Sequence, residues 1–311
     1  MPETFINGVG RRTTAKRRER LDAPETFING VGRRTTAKRR EGLDAPETFI
    51  MRDEVVNMKR EFPILEFDNN VNAVIEPQKI YQKIDMPQNV VICFFNDVIE
   101  RLKNEGKLKL VTNSKSEIGL LPIYEILFND RRIAVFHPGI GAPLCAGMME
   151  EIIAYGGQKF IACGGAGVLN KDIAVGHIIV PTAAVRDEGT SYHYLPPSRE
   201  VQVNPAAIEA IEYVLIKHNC KYLLAKTWTT DAFFRETVDK VSARRAEGCL
   251  TVEMECAAFC AVADFRGVTF GQILYGGDDV SCEEWDSRCW NDRTDVRELI
   301  FELAAEACLN L

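Results

Sequence analysis

Residues 90–106 read VVICFFNDVIERLKNEG, an unbroken apolar run followed by helical spacing that closes on a glycine. Six consecutive apolar residues leave no polar face, so VVICFF is expected to be a strand buried on both sides. An Asn or Asp cap at 96–97 then opens a helix. A strand feeding directly into a helix is the repeating unit of an α/β fold.

The same alternation continues outward. IYEILFN (123–129) and RIAVFH (132–137) flank a short Asp-Arg turn and predict a hairpin, which makes the sheet mixed. A helix near 143–155, the strand KFIAC (159–163) and the strand HIIVPTAAV (177–185) follow. A helix is expected from Asn204 to about Asn219, with Pro205 in its first turn. Next come a strand near 222–229, LTVEMEC leading into helical AAFCAVADF, the strand VTFGQILY (268–275), and the amphipathic TDVRELIFELAAEACLNL at the end. The expectation is an α/β three-layer αβα sandwich around a mixed central sheet, with ligands at the carboxyl ends of the strands.

Composition agrees with an enzyme-sized core. Of 311 residues, 46% are hydrophobic and 27% charged, enough to bury a large domain. No stretch approaches the roughly 18 uninterrupted apolar residues of a membrane helix, and the N-terminus lacks the apolar centre of a secretory signal. A cytoplasmic protein is expected. Ten cysteines include no CxxC pair, which argues against a zinc site or a disulfide framework. The four histidines have no ligand spacing, so no metal is expected; only His193, in a polar loop, is a site candidate.

Residues 1–50 are different in kind. PETFINGVGRRTTAKRRERLD (2–22) recurs as PETFINGVGRRTTAKRREGLD (24–44), and PETFI begins again at Pro46. The segment holds 11 Lys and Arg against 7 Asp and Glu, which leaves a net charge of −11 for residues 51–311. Near-identical copies suit a translated upstream repeat or cloning artefact with Met51 as the natural start better than a nucleic-acid arm. The segment is expected to be a disordered extension, 51–311 to be the catalytic domain, and nucleic acid is not an expected partner.

Several strand ends carry unusual residues. PGIGAP (138–143) brings Gly139 and Gly141 to a helix N-terminus, where backbone N–H groups form an anion site. GGAGVL (164–169) is read as a second close-approach turn, with Gly164 and Gly165 at its start. RDEGTSYHY (186–194) is a polar and aromatic cluster. In VEMEC, Glu253 and Glu255 sit among apolar residues at the start of a buried helix, and buried acids need partners. After VTFGQILY, the two glycines of GGDD (276–279) are read as exposing the strand end, with Asp278 following at once as a proton donor.

The ordered set GIGAP, GGAG, VRDEGTSYHYLPP, TTDAFF, VEMECAAFCAVADFRG and YGGDD resembles the nucleoside phosphorylase superfamily over roughly residues 90–309, closest to its uridine phosphorylase-like branch. The resemblance implies a dimer or trimer of dimers in which a neighbour completes each site. It implies no organic cofactor, with a nucleoside and inorganic phosphate as co-substrates. Met254 and Glu255 would hold the ribose hydroxyls with support from Glu253. Phe233 would stack on the base, and Gly164 and Gly165 would border base and sugar. Asp278 matches the acid that protonates N7 of the leaving base in purine-specific members. N-glycosidic cleavage builds positive charge on the sugar and negative charge on the base, so Glu255 and Asp278 suit the two ends.

Departures from the pattern are equally specific. The Gly-Asp-Pro-x-x-Arg phosphate turn is replaced by Asn96-Asp97-Val98-Ile99-Glu100, and the family's arginine and Ser or Thr by Ala162-Cys163-Gly164-Gly165. Lys115 is the substitute available for a neighbour's arginine. Arg235-Glu236 stands where uridine phosphorylases carry a Gln-x-Arg pair. Three readings follow: a phosphorylase forming free base and ribose 1-phosphate; a nucleosidase using water, with Glu100 as the activating base; and a non-catalytic nucleoside-binding protein.

Overall fold

A computed structural model describes residues 59–311; the tandem repeat at 1–50, together with residues 51–58, lies outside the described residues. The strands are β1 (Asn89–Cys93), β2 (Lys109–Ser116), β3 (Gly119–Phe128), β4 (Arg131–Phe136), β5 (Lys159–Val168), β6 (Ile178–Asp187), β7 (Glu200–Gln202), β8 (Tyr222–Thr230), β9 (Cys249–Glu253) and β10 (Thr269–Asp279). The main helices are α1 (Asn96–Asn104), α2 (Ala142–Tyr155), α3 (Pro205–Lys217), α4 (Val238–Ala246), α5 (Cys256–Arg266) and α6 (Thr294–Leu309).

β1 explains the layering. Val90 and Ile92 point into a core with Met149 of α2 and Phe259 of α5. Val91 and Cys93 point the other way, toward Ile99 of α1, Ile211 of α3 and Phe301 of α6. Successive strand residues face opposite sides, so an apolar run of this kind is stable only with helices on both faces. Val90, Val91 and Ile92 are accordingly fully buried.

The sheet is mixed. β1 runs parallel to β4 and β5, whereas β3 pairs antiparallel with both β2 and β4. The predicted hairpin is present, with its tight turn at Asn129 and Asp130, both at positive φ. Asn204 caps α3 as expected, its side chain accepting from the N–H groups of Ala206 and Ala207. Edge strand β2 and the polar helix α4 were not anticipated. Only Ser114 of β2 and Val241 and Arg244 of α4 are buried, too little for a hydrophobic period.

Two stretches expected beyond their strands, one as a turn, lie within them instead. GGAGVL does not leave the sheet at Gly164, because β5 continues to Val168; GGDD likewise lies within β10. Strands β10, β6, β8, β9 and β5 pair in succession and β5 pairs again with β10, closing a five-membered ring. Glycine is needed there for close packing. A Cβ on Gly164 would meet the Phe94 ring at 3.3 Å, and one on Gly165 would meet Tyr275 at 3.2 Å.

Candidate active site

The ring brings together side chains from five strand ends. β9 stops at Glu253, and the chain passes through Met254 and Glu255 into α5. One oxygen of Glu253 accepts from the backbone N–H groups of Glu255 (2.7 Å) and Cys256 (2.6 Å); the other accepts from the Thr229 hydroxyl (2.6 Å). Thr229 Oγ1 in turn accepts from Ala257 N at 3.0 Å. Glu253 thus satisfies the first donors of a buried helix and fixes the backbone of its neighbour Glu255.

Glu255 is the side chain so aimed. Its Oε1 accepts from Gly141 N at 2.6 Å, and the residue is 6% exposed. Burial pushes the pKa of both Glu253 and Glu255 up; the charge of Glu253 adds to the effect on Glu255, and that of Glu188 to the effect on Glu253. Glu188 is itself buried and shifted upward, with Ser191 donating to it through backbone and hydroxyl. Asp231, which accepts from Gly189 N at 2.9 Å, adds negative charge to the same cluster. Pairing with internal arginines would be the ordinary explanation of such acids. Among the described residues, no Lys, Arg or His forms an ion pair with Glu188, Asp231, Glu253 or Glu255.

Arg186 is spent on the loop that follows β6. Its guanidinium donates to Ser191 Oγ, Ser198 Oγ and the carbonyls of Leu195 and Pro196, and lies 4.3 Å from the Tyr192 ring centre. RDEGTSYHY is therefore a braced wall rather than a solvated loop. His193 is on this wall and, with Thr190, Asp231 and Pro143, lines a cavity of about 740 Å³.

Both glycines of the PGIGAP turn have positive φ, +86° for Gly139 and +90° for Gly141. Its N–H groups are engaged: Gly139 donates to His137 Nδ1 (3.1 Å) and Gly141 to Glu255. Phe94 fills the position beyond β1, against Gly164 and 6.1 Å from the His137 ring. Glu100 is not part of this site: it is nearly half exposed on α1 and pairs with Lys103 at 3.4 Å, which removes it as a water-activating base. Lys115 is exposed on β2.

Beyond β8, Phe233 is 51% exposed and Phe234 86%, their ring centres 4.1 Å apart, so Phe233 is not a core residue. Asp278 is held by Trp285, whose indole N–H donates to Oδ2 at 2.7 Å. Its Oδ1 lies 3.6 Å from where a Cβ on Gly167 would be, and Val252, next to Glu253, crowds the same glycine. Glu236 was overlooked by the sequence reading. Burial, and then the charge of Asp278, pushes its carboxyl up to about 7. Its sequence neighbours Arg235 and Thr237 carry no apolar signal that would mark it. Among the described residues, no group of three His, Cys, Asp or Glu side chains could hold a metal ion, and no helix is long and apolar enough to cross a membrane.

Known proteins resemble this chain in sequence and in fold. The family profile of the Phosphorylase superfamily matches residues 89–306. A guanosine phosphorylase of Halorubrum lacusprofundi is 28% identical over 141 residues, covering 45% of this chain and 58% of that protein. A uridine phosphorylase of Thermococcus kodakarensis is 31% identical over 161 residues, covering 45% and 56%. The chain thus spans less than two thirds of the length of these curated relatives. In fold, it is similar to the crystal structure of uridine phosphorylase from Vibrio fischeri ES114, with a TM-score of 0.60 and 23% identity over 74% of this chain and 93% of that one. With the mixed sheet, the strand-end site and a match across most of its length, the chain belongs to the phosphorylase superfamily.

Proposed function

We propose that the protein cleaves the N-glycosidic bond of a nucleoside and transfers the ribose to phosphate, yielding free base and ribose 1-phosphate. The observation that carries this reading is the Glu253–Glu255 pair: a helix-capping carboxylate aims a second, buried carboxylate that has no cationic partner among the described residues. Such a group suits ribose hydroxyls in the ground state and the positive charge that grows on the sugar as the bond breaks. Glu255 binds the hydroxyls, Met254 lies beneath the sugar, and Gly164 and Gly165 border sugar and base. Phe233 stacks on the base, and the carboxyls of Asp278 and Glu236 mark its far edge. Gly139 and Gly141 form the phosphate side, which requires the Gly141–Glu255 hydrogen bond to open.

That requirement favours a second reading, hydrolysis by water, since both turn amides already have acceptors. Incubating the protein with a nucleoside panel, with and without phosphate, and following base and sugar products separates the readings. Base release that depends on phosphate and yields ribose 1-phosphate is expected. Equal release without phosphate establishes hydrolysis, and nucleoside binding without any release leaves a binding protein.

The site is completed by a second copy of the chain in a cytoplasmic homo-oligomer. Val71, Val74, Ile75 and Ile140 expose apolar side chains, and Ile140 stands in the Gly139–Gly141 turn itself. Light scattering of the purified protein at micromolar concentration is expected to give at least a dimer mass; a monomer would overturn this assembly.

A further inference from the structure

Trp285 stands on Asp278 at the base end of the site. Its indole N–H donates to Asp278 Oδ2 at 2.7 Å, yet the residue is 65% exposed. Among the described residues its side chain has no other hydrogen bond or ring partner. The other two tryptophans are packed: Trp228 is fully buried, and Trp290 lies against Gly277. A large ring left mostly in water and tied at one polar atom owes its position to that acceptor.

The loop that carries Trp285 is fixed at its foot. Asp279 and Asp286 exchange backbone hydrogen bonds of 2.8 and 3.2 Å, and Asp279 Oδ1 accepts from Ser281 N at 2.8 Å. Arg288 donates to the Ile173 carbonyl at 2.8 Å and to the Asp279 carboxylate. Trp285 is one residue from this foot, so a held backbone delivers the indole to Asp278. The two oxygens of Asp278 differ in turn. Oδ1 lies 3.6 Å from where a Cβ on Gly167 would be, and Val252 and Val280 crowd the same glycine. Oδ2 is the oxygen that meets the exposed indole.

Resting on the nucleoside-cleaving reading, we infer that Trp285 is a specificity-determining residue: its indole N–H occupies the acceptor on Asp278 that an N–H or NH2 group of the base takes, and the base must displace it. Breaking the Trp285–Asp278 bond weakens the binding of every nucleoside by the same factor. A base that returns a donor to Oδ2 recovers the bond, whereas a base without one leaves the carboxylate oxygen covered and unpaired. Trp285 and Asp278 together thus select bases by their hydrogen-bond donors.

The test compares the full chain with its Trp285→Phe variant, which keeps an aromatic ring and lacks the N–H. Steady-state kinetics and calorimetric titration use adenosine, inosine and uridine, each of which presents an N–H or NH2 donor. For the nucleosides that bind, Kd and KM of the variant should fall about 5–30-fold, with kcat within about twofold. A merely structural role would act in the opposite direction, since a loosened loop raises KM or lowers kcat. Wild-type tryptophan emission should change as the nucleoside binds and the indole leaves Asp278; the emission of Trp285→Phe should change far less. Purine riboside, which has no donor, should bind at least about tenfold more weakly than adenosine or inosine in both proteins, and 3-methyluridine should trail uridine in the same way. The inference is overturned if Trp285→Phe leaves Kd and KM unchanged or raises them, if wild-type emission ignores a nucleoside that binds, or if the analogues without a donor bind equally well. Binding without base release overturns the cleavage reading alone, because Kd still reports the displacement; a chain that binds no nucleoside overturns both.

Discussion

Gly141 and Glu255, 114 residues apart, meet in one 2.6 Å hydrogen bond that joins the N-terminus of α2 to the N-terminus of α5. It orients Glu255 by engaging one of its carboxyl oxygens.

Replacing Glu255 by Gln keeps an acceptor for Gly141 but removes the carboxylate that would form as positive charge grows on the sugar. A hydrogen bond to a charged group is worth about 1.5–3 kcal/mol, so kcat/KM for a cleaved nucleoside should fall about 10–100-fold. The thermal midpoint should scarcely move. Steady-state kinetics beside a melting curve checks both, and unchanged turnover would take Glu255 out of the site.

Stability should depend on pH in a definite direction. Glu236 titrates near 7 in the folded chain, against an ordinary value of 4.5, and Glu188, Glu253 and Glu255 are shifted the same way by burial. The folded state then binds more protons than the unfolded one, so their contribution is complete below about 4.5 and is lost as pH rises through 7. Glu247, pulled down to about 2 first by Arg199, acts outside this window, losing its contribution only as pH falls below 4.5. Urea midpoints should decline from pH 5 to pH 8, and Glu236→Gln should flatten the slope. A midpoint that rises across that range contradicts the assignment.

Gly139 and Gly141 share a positive φ and differ in surroundings. A Cβ on Gly139 would lie 2.2 Å from Leu144 Cδ2, while one on Gly141 meets nothing within 4 Å. Both alanine variants pay about 1–2 kcal/mol for positive φ. Gly139→Ala must also displace Leu144, for roughly a further 1–3 kcal/mol of overpacking. Denaturant unfolding should rank Gly139→Ala clearly below Gly141→Ala; equal losses would show that Leu144 moves aside freely.

Thr229 is fully buried, and its hydroxyl links Glu253 to Ala257 N. Thr229→Val preserves shape but leaves a buried donor and acceptor unsatisfied, at about 1–3 kcal/mol. Loosening the Glu253 cap should also misplace Glu255, so activity should drop alongside stability. Full activity in a destabilised variant would separate the cap from the site.

Much of the fold was legible because its signals are local. The two-sided apolar run at 90–93, the Asn204-Pro205 start of α3 and the hairpin at 123–137 each depend on a few adjacent residues. GGAG and GGDD misled for the same reason. Glycine pairs ordinarily mark turns, and only the rings of Phe94 and Tyr275 across the sheet show why strand β5 needs them.

The sequence by itself determined the class of fold, the family and the acids at 253, 255 and 278, since side-chain period, caps and motif order are written along the chain. Tertiary structure alone decided which groups those acids meet. The engagement of Gly141 with Glu255 and the capping role of Glu253, held in turn by Thr229, join residues from separate strand ends. Their charge states depend on burial and on neighbours that only ring closure brings near.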